Sequence, residues 1–335
     1  MSHQLKIGWK ASAEQFGPRQ LLDYAVLAEQ LGYDSVWVSD HYQPWRHTNG
    51  HAPFSLAWLG ALAVSTQRIE MGTSVLTPTF RYHPSIIAQA FATLGMLAPG
   101  RVILGVGTGE SMNEVPVIGI EWPEFRERFR RLSEATKLIR KLWSEDFVEF
   151  EGEYYRVRGA TVYDRPQEMV KIYVGASGEV AARFAGRQAD GFICTSGKGP
   201  ELYSEKLLPA VAEGARAAGR DFQAIEKTIE LKVSFDSDRQ RALADTRIWA
   251  ALALPAEDKA NVHNPREMEK LAAKVEHPEK RWLVAADPDE HVEQLRPYLE
   301  LGFTHLIFHA PGDDQAGFLK LYSEQVVPRL RAGWG

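Results

Sequence analysis

Short apolar runs alternate with amphipathic runs along most of the chain. The short runs are β-branched or alternate between apolar and polar residues, whereas the segments between them carry apolar residues at helical spacing. The first amphipathic segment begins at Pro18 and ends at Gly32, which are common helix start and stop signals. This alternation predicts a parallel β-sheet whose strands are connected by helices.

The pattern contains eight strand candidates, the number that closes a (β/α)8 TIM barrel. The strand candidates are residues 5–9, 35–39, 69–74, 101–107, 172–176, 191–194, 228–235 and 305–309. Further helix candidates are residues 84–97, 123–142, 178–187, 201–218, 288–301 and 315–330. An open, doubly wound sheet is the alternative that this pattern leaves.

Two segments interrupt the alternation. Residues 147–163 have the pattern of a short, strand-rich insertion, and residues 236–281 form a longer mixed segment with helical pieces. Long insertions at strand ends usually build or cover a binding site. We therefore expect residues 1–335 to form a single α/β domain, a TIM barrel with insertions at its strand ends.

Composition excludes several classes of protein. The net charge is −5 and the charges are interspersed, so no basic stripe predicts a nucleic-acid partner. No apolar run approaches the roughly 20 residues that span a bilayer, and residues 1–6 lack the apolar core of a signal peptide. The lone Cys194 cannot form an internal disulfide. We expect a cytoplasmic protein with no membrane partner.

Charged side chains follow several of the predicted strands. Glu14 comes after the first strand, Asp40 and His41 after the second, and Glu110 after the fourth. A parallel barrel collects the carboxyl ends of its strands around one mouth, so these residues would share a pocket. The placement predicts an enzyme.

Two glycine-rich turns could hold a cofactor. In residues 105–110 the glycines lie in the fourth unit and Glu110 ends the run, which disfavours a dinucleotide fingerprint. That run is either a tight turn or bare backbone against a flat cofactor. Residues 175–178 follow a strand and open a helix, so their N–H groups suit a phosphate, with purely structural glycines as the alternative.

Three cations lie in or after separate strand-end segments, namely Lys198, Lys259 and Arg281. Taken singly, each has the pattern of a solvated surface charge. Lys198 differs because it follows the hydroxyl side chains of Thr195 and Ser196 at the end of a predicted strand. A cluster of the three would bind an anionic substrate.

Five motifs taken together resemble those of a known family. They are residues 10–16, 39–45, 73–81, 105–110 and 195–198. From Lys6 to about Leu330 the chain resembles the glucose-6-phosphate dehydrogenases that use the deazaflavin coenzyme F420, within the bacterial-luciferase-like superfamily. The resemblance implies a (β/α)8 barrel and a homodimer. It also implies coenzyme F420 in the mouth, with glucose 6-phosphate or a related sugar phosphate above it, and no metal.

Carried over position by position, the resemblance assigns three groups of residues. The cofactor contacts it implies are Asp40, Ser74, Val75, Thr77, Gly107, Asn113, Ala176, Ser177 and Gly178. Around the reacting sugar carbon and ring it implies Glu14, His41, Trp45 and Glu110. Around the substrate phosphate it implies Thr195, Lys198, Lys259 and Arg281. Ser177 departs from relatives, which often have glycine there, and relatives also carry a cis peptide at the position of Ser74 and Val75.

The implied reaction is a two-electron oxidation of the C1 hydroxyl of the sugar to a lactone. We expect His41 to be the base, because an imidazole titrates near neutral pH, with Glu14 as its rival or as a second hydrogen-bond acceptor. Glu110 would serve N1 of the cofactor ring, and Trp45 would shape the surroundings of the ring. The alternatives are an F420-dependent dehydrogenase of another sugar 6-phosphate, a flavin-dependent luciferase-like monooxygenase and a non-catalytic deazaflavin-binding protein.

Overall fold

The predicted strand runs form a closed parallel barrel in the computed structural model, which describes residues 4–260 and 262–335. The strands are β1 (Lys6–Ala11), β2 (Ser35–Val38), β3 (Glu70–Thr73), β4 (Val102–Val106), β5 (Val148–Glu151), β6 (Arg156–Ala160), β7 (Lys171–Gly175), β8 (Gly191–Thr195), β9 (Glu226–Phe235), β10 (Leu283–Ala285) and β11 (His305–His309). Within the described residues, eight strands pair in the order β1-β2-β3-β4-β7-β8-β9-β11, and β11 returns to β1. The expected TIM-barrel fold is confirmed.

Helices connect the strands and cover the outside of the barrel. They are α1 (Pro18–Gln30), α2 (Ser55–Ser65), α3 (Pro84–Leu97), α4 (Ser111–Ile118), α5 (Phe125–Ser144), α6 (Glu179–Gln188), α7 (Leu208–Ala217), α8 (Arg239–Asp245), α9 (Ala256–Ala260), α10 (Pro265–Ala272), α11 (Pro288–Glu300), α12 (Gln315–Gln325) and α13 (Val327–Trp334). Shorter pieces are a π-helical turn at Leu202–Leu207 and 3₁₀ helices at Phe222–Ala224, Thr246–Ala253 and Pro278–Arg281. Among the described residues, no helix combines the length and apolarity that crossing a membrane requires.

The barrel interior is apolar in its middle and polar at both ends. Trp37, Ile103, Tyr173, Ile193 and Ile307 form a buried cluster inside the barrel. Below it, at the strand starts, the Nζ atom of Lys6 lies 2.9 Å from Glu70 and 3.2 Å from Glu226. The apolar cluster therefore separates these ion pairs at the strand starts from the mouth, where the strands end.

The structure differs from the predicted elements in several places. The sequence pattern missed α2, because its residues are apolar on almost every face and show little periodicity, and it also missed α4 and β10. The helix predicted over residues 315–330 divides into α12 and α13 at Val326. Pro328 explains the break, since proline lacks the N–H that a continuous helix would use. The insertion at residues 147–163 forms the antiparallel hairpin β5–β6, as expected.

Candidate active site

A cavity of about 540 Å³ opens at the carboxyl ends of the barrel strands. Most of the predicted site residues line it: Glu14, Asp40, His41, Trp45, Ser74, Val75, Thr77, Gly107, Glu110, Asn113, Ala176, Ser177, Thr195, Lys259 and Arg281. Gly178 and Lys198 are not among its lining residues, and both are exposed beside it. The barrel therefore brings together residues that are up to 267 positions apart, from Glu14 to Arg281.

The imidazole of His41 lies between two carboxylates. Its Nδ1 atom is 2.5 Å from Oε1 of Glu14, and its Nε2 atom is 3.6 Å from Oε2 of Glu110. Glu14 is buried and its other oxygen accepts a hydrogen bond of 3.3 Å from Ser39, whereas half of the Glu110 side chain is exposed. Glu14 is therefore held against the ring, and Glu110 faces the open cavity.

These contacts change the pKa values of the pair in opposite directions. Burial would raise the pKa of Glu14, but the charge and contact of His41 and the charge of Lys10 outweigh it and lower the pKa to about 2. Burial would lower the pKa of His41, but Glu14 and then Glu110 outweigh it and raise the pKa above 6.5. The carboxylate–imidazolium form of the pair is therefore favoured in the free protein.

The loop that carries His41 is fixed by Asn113 at the start of α4. The Oδ1 atom of Asn113 accepts hydrogen bonds from the backbone N–H groups of Tyr42 at 2.9 Å and Gln43 at 3.1 Å. Trp45 packs edge-on against His41 with 6.1 Å between ring centroids, and Nζ of Lys259 lies 5.8 Å from the centre of the Trp45 ring. Trp45 therefore touches both the histidine and one of the predicted phosphate cations.

The carboxylate of Asp40 is held by protein groups. It accepts hydrogen bonds from Ser55 at 2.6 Å, from Arg81 at 2.7 Å and from Tyr82 at 3.0 Å. Arg81 is also paired with the buried Glu114 at 3.1 Å. The predicted contact of Asp40 with the cofactor stays a prediction; in the structure its side chain anchors the strand end that precedes His41.

Bare backbone and the side chain of Val75 form one wall of the cavity. The peptide bond between Ser74 and Val75 is cis, as the resemblance implied. A Cβ atom on Gly107 would lie only 2.5 Å from Cγ2 of Val75, and one on Gly175 would lie 3.1 Å from Cγ1. Lys10 fixes this segment by donating to the carbonyl oxygen of Ser74 at 2.8 Å. This smooth wall fits a flat cofactor ring.

The predicted phosphate turn lies between β7 and α6. Ala176 is buried, whereas Ser177 and Gly178 are exposed at the helix start, and Gly178 is the N-cap residue of α6. A Cβ atom on Gly178 would meet no atom within 4 Å. No side chain caps this helix start, so its first N–H groups lack a side-chain partner, which is the arrangement that binds phosphate groups at helix starts.

The predicted cations approach one another at the rim of the cavity. Arg281 donates a hydrogen bond to the carbonyl oxygen of Gly197, next to Lys198. Burial, Arg281 and Lys198 lower the pKa of Lys259, whereas Glu110 opposes that change. Positive charges close enough to lower the pKa of a neighbouring lysine repel one another, and an anion bound among them would relieve that repulsion.

Sequence reasoning missed several polar residues that line the same cavity, among them Lys10, Glu230, Lys232 and His309. Lys10 and Glu230 are paired at 3.2 Å across the barrel interior. All four lie within β1, β9 or β11 rather than after a strand, so the strand-end rule could not find them. The available signal was the presence of charged residues within otherwise apolar strand runs.

Comparison with known proteins identifies the class to which this barrel belongs. A model of the luciferase-like monooxygenase family matches residues 2–305, so the chain belongs to that family. Its relatives include the F420-dependent glucose-6-phosphate dehydrogenase of Nakamurella multipartita, 61% identical over 98% of this chain and 97% of the relative. The enzyme of the same name from Nocardia farcinica is 60% identical over 98% of each chain. The resemblance stated from the motifs is confirmed.

Solved structures agree with this family. An F420-dependent secondary alcohol dehydrogenase in complex with an F420–acetone adduct is 34% identical, with a TM-score of 0.91 over 97% of this chain and 99% of the other. The coenzyme F420-dependent tetrahydromethanopterin reductase of Methanopyrus kandleri has a TM-score of 0.81 at 23% identity, over 98% and 99% of the two chains. The second likeness supports the barrel fold alone.

Proposed function

We propose that this chain is an F420-dependent glucose-6-phosphate dehydrogenase. It oxidises C1 of glucose 6-phosphate to 6-phosphogluconolactone and transfers the hydride to C5 of the cofactor. The observation that carries the proposal is the position of His41 between Glu14 and Glu110, in the same cavity as Lys259 and Arg281. Relatives of this name are 60–61% identical over nearly the whole chain.

The wall of bare backbone fits coenzyme F420. Ser74, Val75, Thr77 and Gly107 would hold the ring, together with Asp40 and Asn113. Ala176, Ser177 and Gly178 would hold its phosphate at the start of α6, because that helix start presents free N–H groups. When bound, F420 supplies a two-electron acceptor, since its ring carbon C5 accepts a hydride.

His41 removes the proton of the C1 hydroxyl in this proposal. Its Nε2 atom faces the cavity, because Nδ1 is held by Glu14. As the proton passes to Nε2 and the hydride leaves C1, the C1–O bond becomes the carbonyl of the lactone. Glu14 orients the ring and stabilises the imidazolium that forms. Because the pKa of His41 is raised, the residue must first lose its own proton.

Glu110 and Trp45 complete the catalytic group. Glu110 is half exposed and lies 3.6 Å from Nε2 of His41, so it can serve ring N1 as an acid or hydrogen-bond donor. Trp45 contacts both His41 and Lys259, so its ring links the reaction centre to the cations. Thr195, Lys198, Lys259 and Arg281 bind the substrate phosphate.

The experiment that tests this function is a substrate panel with oxidised F420. Loss of the visible absorbance of the cofactor is followed with glucose 6-phosphate, fructose 6-phosphate, mannose 6-phosphate and glucose. We expect the highest kcat/KM with glucose 6-phosphate and a value about 100-fold or more lower with glucose, because glucose lacks the phosphate contacts. Oxygen consumption with reduced flavin and no reaction with any sugar phosphate would instead indicate a monooxygenase.

The single domain, the homodimer and the cytoplasmic location are also proposals. The buried Cys194 supports a reducing compartment. Large apolar side chains on and before α2 and α3 support a dimer interface, since Phe54 is 53%, Val64 63% and Ile86 52% exposed. Sedimentation equilibrium should give twice the chain mass, and substituting aspartate for Val64 and Ile86 should shift it to the monomer.

A further inference from the structure

Lys232 is a buried lysine in the wall of the active-site cavity. It lies on β9, two positions after Glu230, so both side chains point to the barrel interior. Only 4% of Lys232 is exposed, and it lines the cavity together with Arg281 and Lys259. A lysine is almost never buried to this extent unless a partner compensates its charge.

The described residues give Lys232 no ion-pair partner. Its neighbour Glu230 is already paired with Lys10 at 3.2 Å and accepts a hydrogen bond of 3.3 Å from Ser74. Among the residues that the structure describes, the hydrogen bond recorded for the Nζ atom of Lys232 is to the carbonyl oxygen of Ser196, at 3.5 Å. Glu230 is therefore shared between two buried lysines, Lys10 and Lys232, and only Lys10 is within ion-pair distance of it, which favours an anionic ligand beside Lys232.

Lys232 is tied directly to the loop predicted to bind the substrate phosphate. The hydroxyl of Ser196 accepts a 2.8 Å hydrogen bond from the backbone N–H of Lys232, and the N–H of Ser196 donates to the carbonyl of Glu230 at 2.8 Å. This pairing fixes the segment from Thr195 to Lys198 against β9. Thr195 of this segment and Lys232 both line the cavity.

We propose that Lys232 is a further substrate-binding residue, which contacts the phosphate group of the sugar phosphate from inside the barrel. The proposal rests on the proposed function. Lys198, Lys259 and Arg281 approach that phosphate from the rim, whereas Lys232 reaches it from β9. The phosphate would thus be the counter-ion that Lys232 lacks.

The electrostatic surroundings of Lys232 support this assignment. Burial first, and then the charges of Arg281, Lys10 and Lys198, lower its pKa to about 8, whereas Glu230 opposes the change. The other titratable groups around it are His309, its register partner on the neighbouring strand β11, Cys194 on the other neighbouring strand β8, and Lys259. A bound dianion would raise the pKa of Lys232, so binding at pH 8.5 should be accompanied by proton uptake.

The experiment compares Lys232→Met with Lys227→Met. Lys227 is a matched control, because it is a buried lysine on the same strand that donates to the carbonyl of Ile225, away from the cavity. In Lys232→Met we expect KM for glucose 6-phosphate to rise about 10- to 100-fold. The dissociation constant of F420 and the kcat should change less than about threefold. Lys227→Met should leave all three values near those of the wild type.

Calorimetry gives a second readout, with glucose 6-phosphate titrated at pH 8.5 in buffers of different ionisation enthalpy. Proton uptake should fall in Lys232→Met and persist in Lys227→Met. If Lys232→Met does not bind F420 as a folded protein does, Lys232→Arg replaces it: a permanently charged side chain should keep binding but lose the uptake. An unchanged KM with unchanged proton uptake overturns the inference. A wild-type protein inactive with every sugar phosphate overturns the proposed function instead.

Discussion

Substituting Gln for Glu14 tests whether the buried carboxylate sets the protonation of His41. The substitution keeps the volume of the side chain and removes one negative charge 2.5 Å from Nδ1. Because Glu14 is the main group that raises the pKa of His41, the pKa should fall in the variant. One opposite charge within about 4–6 Å changes a pKa by about 1–3 units, which corresponds to about 1.4–4 kcal/mol.

The assay is the pH dependence of kcat/KM, measured by F420 absorbance from pH 5 to 9. This parameter reports the pKa values of the free enzyme. If His41 accepts the proton of the substrate, its titration forms the acidic limb, which should lie above pH 6.5 in the wild type because the pKa is raised. In Glu14→Gln that limb should move to lower pH by about 1–3 units. In His41→Ala it should disappear, with kcat about 10²–10⁴ lower.

Two results would contradict this reasoning. If the basic limb moves and the acidic limb does not, His41 donates a proton, and the base must be sought in Glu110. If neither limb moves, the contact with Glu14 does not control His41. Glu149→Gln is the control, since this exposed carboxylate on the β5–β6 hairpin lies outside the cavity and should leave both limbs in place.

Three further predictions concern the phosphate site, the cofactor wall and the buried ion pairs. Lys259→Ala should raise KM for the sugar phosphate about 10- to 150-fold, which corresponds to about 1.5–3 kcal/mol. The dissociation constant of F420, measured by fluorescence titration, should not change. Gly107→Ala should weaken F420 binding about 10-fold or more, because its methyl group must displace the cavity wall; Gly60→Ala, with no atom within 4 Å of the added carbon, should not. Arg81→Met should lower the free energy of unfolding in urea by about 3–5 kcal/mol, because the buried carboxylates of Asp40 and Glu114 lose their ion-pair partner. Arg19→Met, at an exposed ion pair, should lower it by less than about 1 kcal/mol.

The architecture was predictable from the sequence because each barrel strand leaves a run of apolar residues between turns. The observed strands β1 to β4 and β11 lie within one or two residues of their predicted ends. Helix α2 was not predictable in the same way, since Ala57 and Val64 are exposed but apolar, which leaves the helix without a polar face. Periodicity locates a helix only where the side that meets water is polar.

The sequence likewise predicted some features of the candidate site and not others. The residues that follow strands, such as His41 and Glu110, could be placed at one mouth by the barrel rule alone. The pairing of Glu14 with His41 depends on the path of the loops after β1 and β2, and that of Lys10 with Glu230 on the stagger of two strands distant in the chain. Local patterns do not encode that path or that stagger. The roles carried over by resemblance remain predictions for mutagenesis.

The chain draws its reacting groups and part of its proposed phosphate site from different parts of the fold. His41, Glu14 and Glu110 follow barrel strands, whereas Lys259 and Arg281 belong to the insertion between β9 and β10. An insertion can change in length and sequence without altering the strand register that aligns the reacting groups. Because Lys259 and Arg281 lie in this insertion, exchanging residues 236–281 between relatives should change the binding of the substrate phosphate while the reacting groups after the barrel strands keep their alignment.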